Sequence, residues 1–322
     1  MSAAVQPEPS PSELEEARAR IEGKVHRTPL FGSRAISERA GVPVVFKCEN
    51  LQRAGAFKAR GATNAVFSLD EAEAERGVCT HSSGNHGQAL ALAAQLRGVR
   101  CIVVMPSNAP KVKRAAVLGY GAEVVECEPT LAARESTLAE VAERSGATFV
   151  HPYEDRRVVA GQASAAAEIL DDDRLVDTIV VPVGGGGLFA GSSLTCRYRA
   201  PSVQVVGAEP EAVDDAARSL ATGSRAPAPS GTTIADGLRT RLGALPFAIL
   251  RADERAVVTV SEEAIAAAMR FFWERVKLVI EPSAAVPVAA ALAGTWRGQR
   301  RVAIVLSGGN VDLDHLPFGA SE

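Results

Sequence analysis

One lysine stands between two glycines in Gly55-Ala56-Phe57-Lys58-Ala59-Arg60-Gly61, just after the strand-like run Val42-Pro43-Val44-Val45-Phe46-Lys47-Cys48-Glu49. Its neighbours are small or apolar. An ammonium drawn into an apolar cleft loses hydration and its pKa falls. The neutral amine can then attack a carbonyl and form a Schiff base with an aldehyde cofactor. Alone, the stretch reads as a solvated lysine on the first turn of a helix. Three later stretches bear on that reading: Ser82-Ser83-Gly84-Asn85-His86-Gly87, Gly184-Gly185-Gly186-Gly187 and Ser307-Gly308-Gly309-Asn310.

The four glycines follow an apolar run and open a helix, so backbone N–H groups and the helix dipole can bind an anion at close range. A dinucleotide site is the rival, with Glu209 at the end of the next strand as the ribose partner. Gly184-Gly185-Gly186-Gly187-Leu188-Phe189 fails the GxGxxG pattern, however, because Phe189 stands where the last glycine is needed. A phosphate loop without a dinucleotide fits better, and a tight turn alone does not require four glycines. The SSGNHG stretch joins a strand to a helix, where hydroxyls, an amide and helix-start N–H groups could hold a carboxylate. Its bland reading is a helix cap by Ser83 or Asn85. His86 has no second ligand spaced to bind a metal with it. In the SGGN stretch, Ser307 offers a neutral hydroxyl to a heteroaromatic nitrogen, and a loop turn explains the motif equally well.

These groups need a scaffold. The spacing predicts strands over 42–49, 78–80, 100–105, 122–127, 147–150, 176–183, 203–208, 257–260 and 302–306. It predicts helices over 12–23, 33–40, 56–69, 88–96, 111–118, 131–144, 158–170, 211–221, 262–276 and 282–292, with another running from the tetraglycine stretch to about 199. Ser12 is expected to cap the first helix, with Glu15 three residues on. Alternation of this kind indicates a parallel sheet in an α/β fold. The 322 residues accommodate two domains sharing a cleft. A net charge of -3 argues against a nucleic-acid surface. No apolar run is long enough for a membrane span, and Met1 to Ser12 is expected to be a frayed tail without a signal-peptide core. The five cysteines show no CxxC spacing, which suits a reducing, cytoplasmic setting.

The order lysine, SSGNHG, tetraglycine, SGGN resembles the fold-type-II pyridoxal-phosphate enzymes, and within them the serine racemase and serine/threonine dehydratase group. Further matching segments are Lys47-Cys48-Glu49, Ala160-Gly161-Gln162, Ala208-Glu209-Pro210, Thr233-Ile234-Ala235-Asp236-Gly237 and Glu281-Pro282-Ser283. The resemblance implies a tryptophan synthase beta-like α/β fold of two open parallel-type sheets with flanking helices. It implies a large discontinuous domain (1–75 and 151–322), a small one (76–150), and the cofactor between them.

By position, Lys58 would be the Schiff-base lysine, with Phe57 beside the cofactor ring. Asn85 would meet the ring hydroxyl, Gly184 to Leu188 the phosphate, Gly237 the cofactor and Ser307 the ring nitrogen. Ser83 would be the acid/base opposite Lys58. Ser82, Ser83, Asn85, His86, Arg134 and Thr240 would surround the substrate. Glu209, the Val213 carbonyl and Asp215 resemble a magnesium or calcium site, although spacing alone favours a solvated helix start. Lys277 and Asn310 fall where the racemases place a nucleotide effector, and a homodimer acting on a small amino acid is implied. Two departures are Ala56, where the family usually has serine, and Tyr153, where mammalian-type racemases have asparagine. The activity implied is β-elimination from serine or threonine, with serine racemisation the alternative, and a non-catalytic anion- or dinucleotide-binding protein a distant third.

Overall fold

The computed structural model describes residues 5–109 and 111–318. Its strands, in chain order, are β1 (Leu30–Gly32), β2 (Val44–Lys47), β3 (Val78–His81), β4 (Cys101–Pro106), β5 (Glu123–Cys127), β6 (Thr148–Phe149), β7 (Thr178–Pro182), β8 (Gln204–Pro210), β9 (Ala256–Val260) and β10 (Val302–Val305). They form two sheets, ordered β1-β2-β10-β7-β8-β9 and β5-β4-β3-β6. Every pairing is parallel except β1 with β2. β7 is buried along its whole length, as a continuous Ile-Val-Val run requires when helices cover both faces. No helix among the described residues is long and apolar enough to cross a membrane.

The structure departs from the sequence-based expectations in several places. Residues 1–4 lie outside the described residues, but the rest of the expected tail is tied down. Gln6 Oε1 accepts from the Arg156 backbone, and Glu8 pairs with Arg197. Ser10, not Ser12, caps the first helix (Pro11–Ile21), in a reciprocal capping box with Glu13. Pro11 explains the shift, because it is pre-set for the first helical position and pushes Ser12 inside. The helix after SSGNHG starts at Asn85, not Gln88, which puts Asn85 and His86 in its first turn. Residues 211–221 divide into a short 3-10 turn and a helix from Asp215 to Thr222. The short antiparallel β1 and the helices Glu71–Arg76 and Ala244–Ala252 were not foreseen. Asp70 caps the first of these with Glu73 in a capping box, a signal that was present in the sequence.

Two contacts fix the helix that carries the lysine, Lys58–Phe67. Gly61 and Gly161 let it touch the helix Arg156–Asp172 backbone to backbone. A Cβ at Gly161 would lie 2.6 Å from Gly61 Cα and 2.7 Å from the Arg60 carbonyl oxygen. The Gly61 N–H also donates to Gln162 Oε1 at 3.1 Å. Around this crossing lies a dry ion cluster. Arg60 is fully buried and donates two hydrogen bonds to each of the Glu49 and Glu168 carboxylates, at 2.7–2.8 Å. Lys47 pairs with Glu168 and donates to the Thr28 carbonyl. Burial alone would raise the Glu49 pKa, but the charge and hydrogen bonds of Arg60 outweigh it and hold Glu49 below its ordinary value. Two cations against two anions leave the cluster neutral, the condition on which buried charges persist.

Gly161→Ala should destabilise the fold by about 1–3 kcal/mol, because the methyl meets backbone that cannot move aside. Denaturant unfolding checks this, and an unchanged midpoint would show that the helices can separate without loss.

Candidate active site

Lys58 is the first residue of its helix, with Phe57 at the cap. The stretch Ala56–Lys58 is held against the SGGN stretch: Ala56 bridges to Gly308, and the Phe57 N–H donates to the Ser307 carbonyl at 3.0 Å. Lys58 Nζ donates to the Pro152 carbonyl at 2.9 Å and lies 5.0 Å from the centre of the Phe57 ring. Burial pulls the lysine down to about 8, with the Glu281 carboxylate pulling the other way. The solvated-lysine reading is thereby set aside, because a workable fraction of this amine is neutral near neutral pH. Ser307 is buried, and its hydroxyl finds no hydrogen-bond partner among the described residues.

The tetraglycine stretch joins β7 to the helix Gly187–Arg199, whose cap, Gly186, adopts the left-handed φ of 87°. Val183 N–H donates to Ala208 and Ala190 N–H to Gly186, while the N–H groups between them find no acceptor among the described residues. That is an anion cradle at a helix N-terminus. Gly237 and Thr240 close one side: the Gly237 carbonyl and the Thr240 hydroxyl each lie 3.0 Å from where a Gly184 Cβ would be. Tyr153 closes the other, its ring 2.2 Å from a Cβ placed on Gly185. Leu188 is buried in the first turn of the helix.

Across the cleft, Ser82 Oγ accepts from the Gly84 N–H at 3.2 Å, and the Ser83 hydroxyl makes no hydrogen bond among the described residues. Asn85 is pinned from both ends: its Nδ2 lies 2.9 and 3.1 Å from the two Glu281 oxygens, and its Oδ1 accepts from Asn310 at 3.0 Å. The His86 side chain is committed elsewhere. Its Nε2 lies 3.0 Å from the Val150 carbonyl, which can only accept, so Nε2 carries the proton and Nδ1 is a lone pair. Burial, with the Lys58 charge adding to it, pushes His86 down to about 3 and keeps the ring neutral. A neutral ring whose remaining nitrogen is an acceptor cannot attract a carboxylate, so His86 can contribute only its helix-start N–H. Arg134 sits on the helix Leu131–Ser145, with its Nε buried and unpartnered among the described residues.

Glu209 and Asp215 are not a solvated helix start. Both are fully buried. Glu209 accepts from the Ala216 and Ala217 N–H groups, and Asp215 Oδ2 accepts from Leu242. Asp215 Oδ1 has no partner among the described residues. Burial, opposed by those N–H groups and reinforced by Asp215, pushes Glu209 up to about 8. Lys277 is exposed and donates to its own helix at Glu274. Asn310 spends both amide protons inside the cleft, on Ala54 and Asn85.

Sequence reasoning missed the Pro152 carbonyl that holds Lys58, which no side-chain pattern signals. It also gave no role to Glu281. A carboxylate directly before a helix-opening proline was the available sign, since such a residue ordinarily caps the helix, whereas this one makes no side-chain cap bond.

The Lys58 amine with its lowered pKa, the anion cradle and the orphaned Ser307 hydroxyl fit a phosphorylated aldehyde with a heteroaromatic nitrogen. Gly185→Asp should abolish cofactor retention on dialysis, because both the Tyr153 ring and the anion exclude a charged side chain there. A folded variant that keeps its cofactor would make the loop structural.

The comparisons agree with this geometry. The family model described as "Pyridoxal-phosphate dependent enzyme" matches residues 21–308. A serine racemase of Dictyostelium discoideum is 45% identical over 309 residues, covering 94% of this chain and 95% of that protein. A beta-hydroxyaspartate dehydratase of Paracoccus denitrificans is 44% identical over 312 residues, covering 96% and 99%. The structure of a processed threonine deaminase isoform of Solanum lycopersicum superposes with a TM-score of 0.86 at 31% identity, covering 97% of this chain and 94% of that one. With a family model spanning most of its length and relatives this similar, the chain belongs to the pyridoxal-phosphate dependent enzymes, in the branch that holds serine racemases and hydroxy-amino-acid dehydratases.

Proposed function

We propose that this enzyme is a dehydratase (ammonia-lyase) of 3-hydroxy amino acids, serine or threonine, that eliminates the β-hydroxyl to give a 2-oxo acid and ammonia. The observation that carries this reading is the neutral, buried Ser307 hydroxyl beside the Lys58 segment, where a carboxylate would have protonated a ring nitrogen. Bound pyridoxal phosphate would supply an electron sink, and against a neutral hydroxyl that sink is a weak one, which favours prompt loss of a β-leaving group. Lys58, with its lowered pKa, takes the α-proton as general base. The helix-start N–H groups after Ser83, together with Arg134, hold the substrate carboxylate, and the gatepost residues Tyr153 and Thr240 shield the anion loop from water. The β-hydroxyl leaves with a proton as water, and the released enamine hydrolyses to the 2-oxo acid and ammonia. Racemisation is the second reading, favoured by the relatives named serine racemase. It needs a second acid/base on the other face, and the Ser83 hydroxyl, uncommitted among the described residues, is suited to that role.

Chiral product analysis of the purified enzyme with L-serine, D-serine, L-threonine and threo-3-hydroxyaspartate tests the proposal. The expected result is 2-oxo acid plus ammonia from at least one hydroxy amino acid, and none from Lys58→Ala. Ser83→Ala should lose racemisation and D-serine elimination while L-serine elimination survives in part. Interconversion of enantiomers without 2-oxo acid would overturn the dehydratase assignment, and equal loss on both enantiomers in Ser83→Ala would make Ser83 a binding residue.

We further infer that Glu209, the Val213 carbonyl and Asp215 hold magnesium or calcium. Two buried carboxylates with an unpartnered oxygen suit a hard cation with oxygen ligands. Addition of either ion after exhaustive chelation should raise Tm, since a ligand that binds only the folded state stabilises it, and Glu209→Gln should cancel the effect. A Tm indifferent to both ions rules the site out.

A further inference from the structure

Glu281 is a buried carboxylate that the scheme above does not use. It precedes the helix Pro282–Leu292, yet its side chain turns away from that helix. Both of its oxygens lie against Asn85 Nδ2, at 2.9 and 3.1 Å. Gly308 makes the room: a Cβ there would come within 2.5 Å of Glu281 Oε1. The Glu281 N–H donates to the Gly308 carbonyl at 3.0 Å, and Gly308 in turn bridges to Ala56, two residues before Lys58. One carboxylate therefore joins the SSGNHG stretch, the SGGN stretch and the lysine segment.

The hydrogen bonds fix the sense of the Asn85 amide. Its Oδ1 must face Asn310 Nδ2, because that amide donates, and this leaves Nδ2 to donate to Glu281, whose carboxyl offers an accepting oxygen whether or not it is ionised. Asn310 cannot turn over, since its other proton is held by the Ala54 carbonyl. The two Glu281 oxygens lie to one side of Asn85 Nδ2 and engage one proton. The second proton diverges from it and finds no acceptor among the described residues. Asn85 is thus set to donate to an oxygen in the cleft.

Charge is the second half of the argument. The charged groups that act on Glu281 are Asp236 and Lys113, which pair with each other, and Lys58. Asp236 and Lys113 carry opposite charges, and among the described residues Glu281 is the carboxylate whose charge acts on Lys58. Burial and Asp236 push Glu281 up to about 7, with Asn85 and Lys113 opposing. As pH rises past neutrality the carboxyl ionises, and the negative charge then favours the Lys58 ammonium over the amine.

We propose that Glu281 is a positioning residue of the active site: it fixes the flip of the Asn85 amide so that one N–H is left for a ligand oxygen, and it supplies the negative charge that governs proton release from Lys58. This rests on the reading of Lys58 as the reactive amine.

The test is the pH dependence of brief acetic anhydride labelling of Lys58, followed by mass spectrometry on the full-length chain stripped of cofactor. Glu281→Gln keeps an acceptor for Asn85 and removes the charge. The labelling midpoint should fall by on the order of one pH unit, as loss of an opposite charge at close range dictates. A folded variant with an unchanged midpoint overturns the proposal. If Glu281→Gln does not fold, the wild-type curve decides: coupling to a carboxyl that ionises near neutrality broadens it beyond a single ionisation, and a single-group curve overturns the proposal. Borohydride trapping of pyridoxal phosphate at Lys58 is run alongside. No trapping in the wild type defeats the functional reading itself, whereas normal trapping with an unshifted midpoint defeats only the role of Glu281.

Discussion

The ion cluster around the fully buried Arg60 is the interaction on which the rest of the site depends. Its guanidinium binds Glu49 after β2 and Glu168 on the helix Arg156–Asp172, and it sits two residues from Lys58. A guanidinium cannot shed its charge, so its burial is tolerable only while every donor has a partner. Any displacement of the Lys58 helix would break several charge-assisted bonds at once. The cluster therefore acts as a position sensor for the helix start that carries the amine. The Gly61–Gly161 crossing reinforces it sterically, because backbone against backbone has no side-chain slack.

A lysine held this way can be desolvated without swinging back to water. Among the described residues its acceptor is the Pro152 carbonyl, a weaker counterweight than a carboxylate would be. The carboxylate whose charge acts on Lys58, Glu281, is engaged with Asn85 instead. The same preference for neutral partners recurs at Ser307 and at His86, whose ring stays uncharged. The fixed fields at the tetraglycine and SSGNHG stretches come from helix-start N–H groups, which act on anions. The site is built to bind negative groups at its edges and to keep its centre close to neutral.

That arrangement serves elimination and racemisation alike, because both start with loss of the same α-proton. What separates them is whether a proton returns from the second face before the β-hydroxyl departs. Ser83 is an alcohol and a poor base at neutral pH, so its efficiency depends on where its own proton can go. The nearby histidines are poor receivers: burial pushes His151 down to about 4, and its Nδ1 already accepts from the Tyr153 and Glu154 N–H groups.

Much of this was legible in the chain. Strand and helix alternation indicated parallel pairing, since buried β-branched runs and amphipathic spacing are local signals, while the division into two sheets came from the family resemblance. The lysine, the four glycines and the SGGN serine were ambiguous one by one and became legible through their order along the chain. Other features had no local signature. Asn85 entered the helix because the start of a first turn is decided by what its N–H groups face. The His86 Nε2 is committed because a carbonyl 64 residues on claims its proton. Glu209 and Asp215 looked like a solvated helix start, and only packing took them out of water. By itself the sequence determined which chemical groups are present and the order in which the fold delivers them. The tertiary structure alone decided which are dry, which are already partnered and which remain free to act, because desolvation and hydrogen-bond satisfaction depend on neighbours far away along the chain.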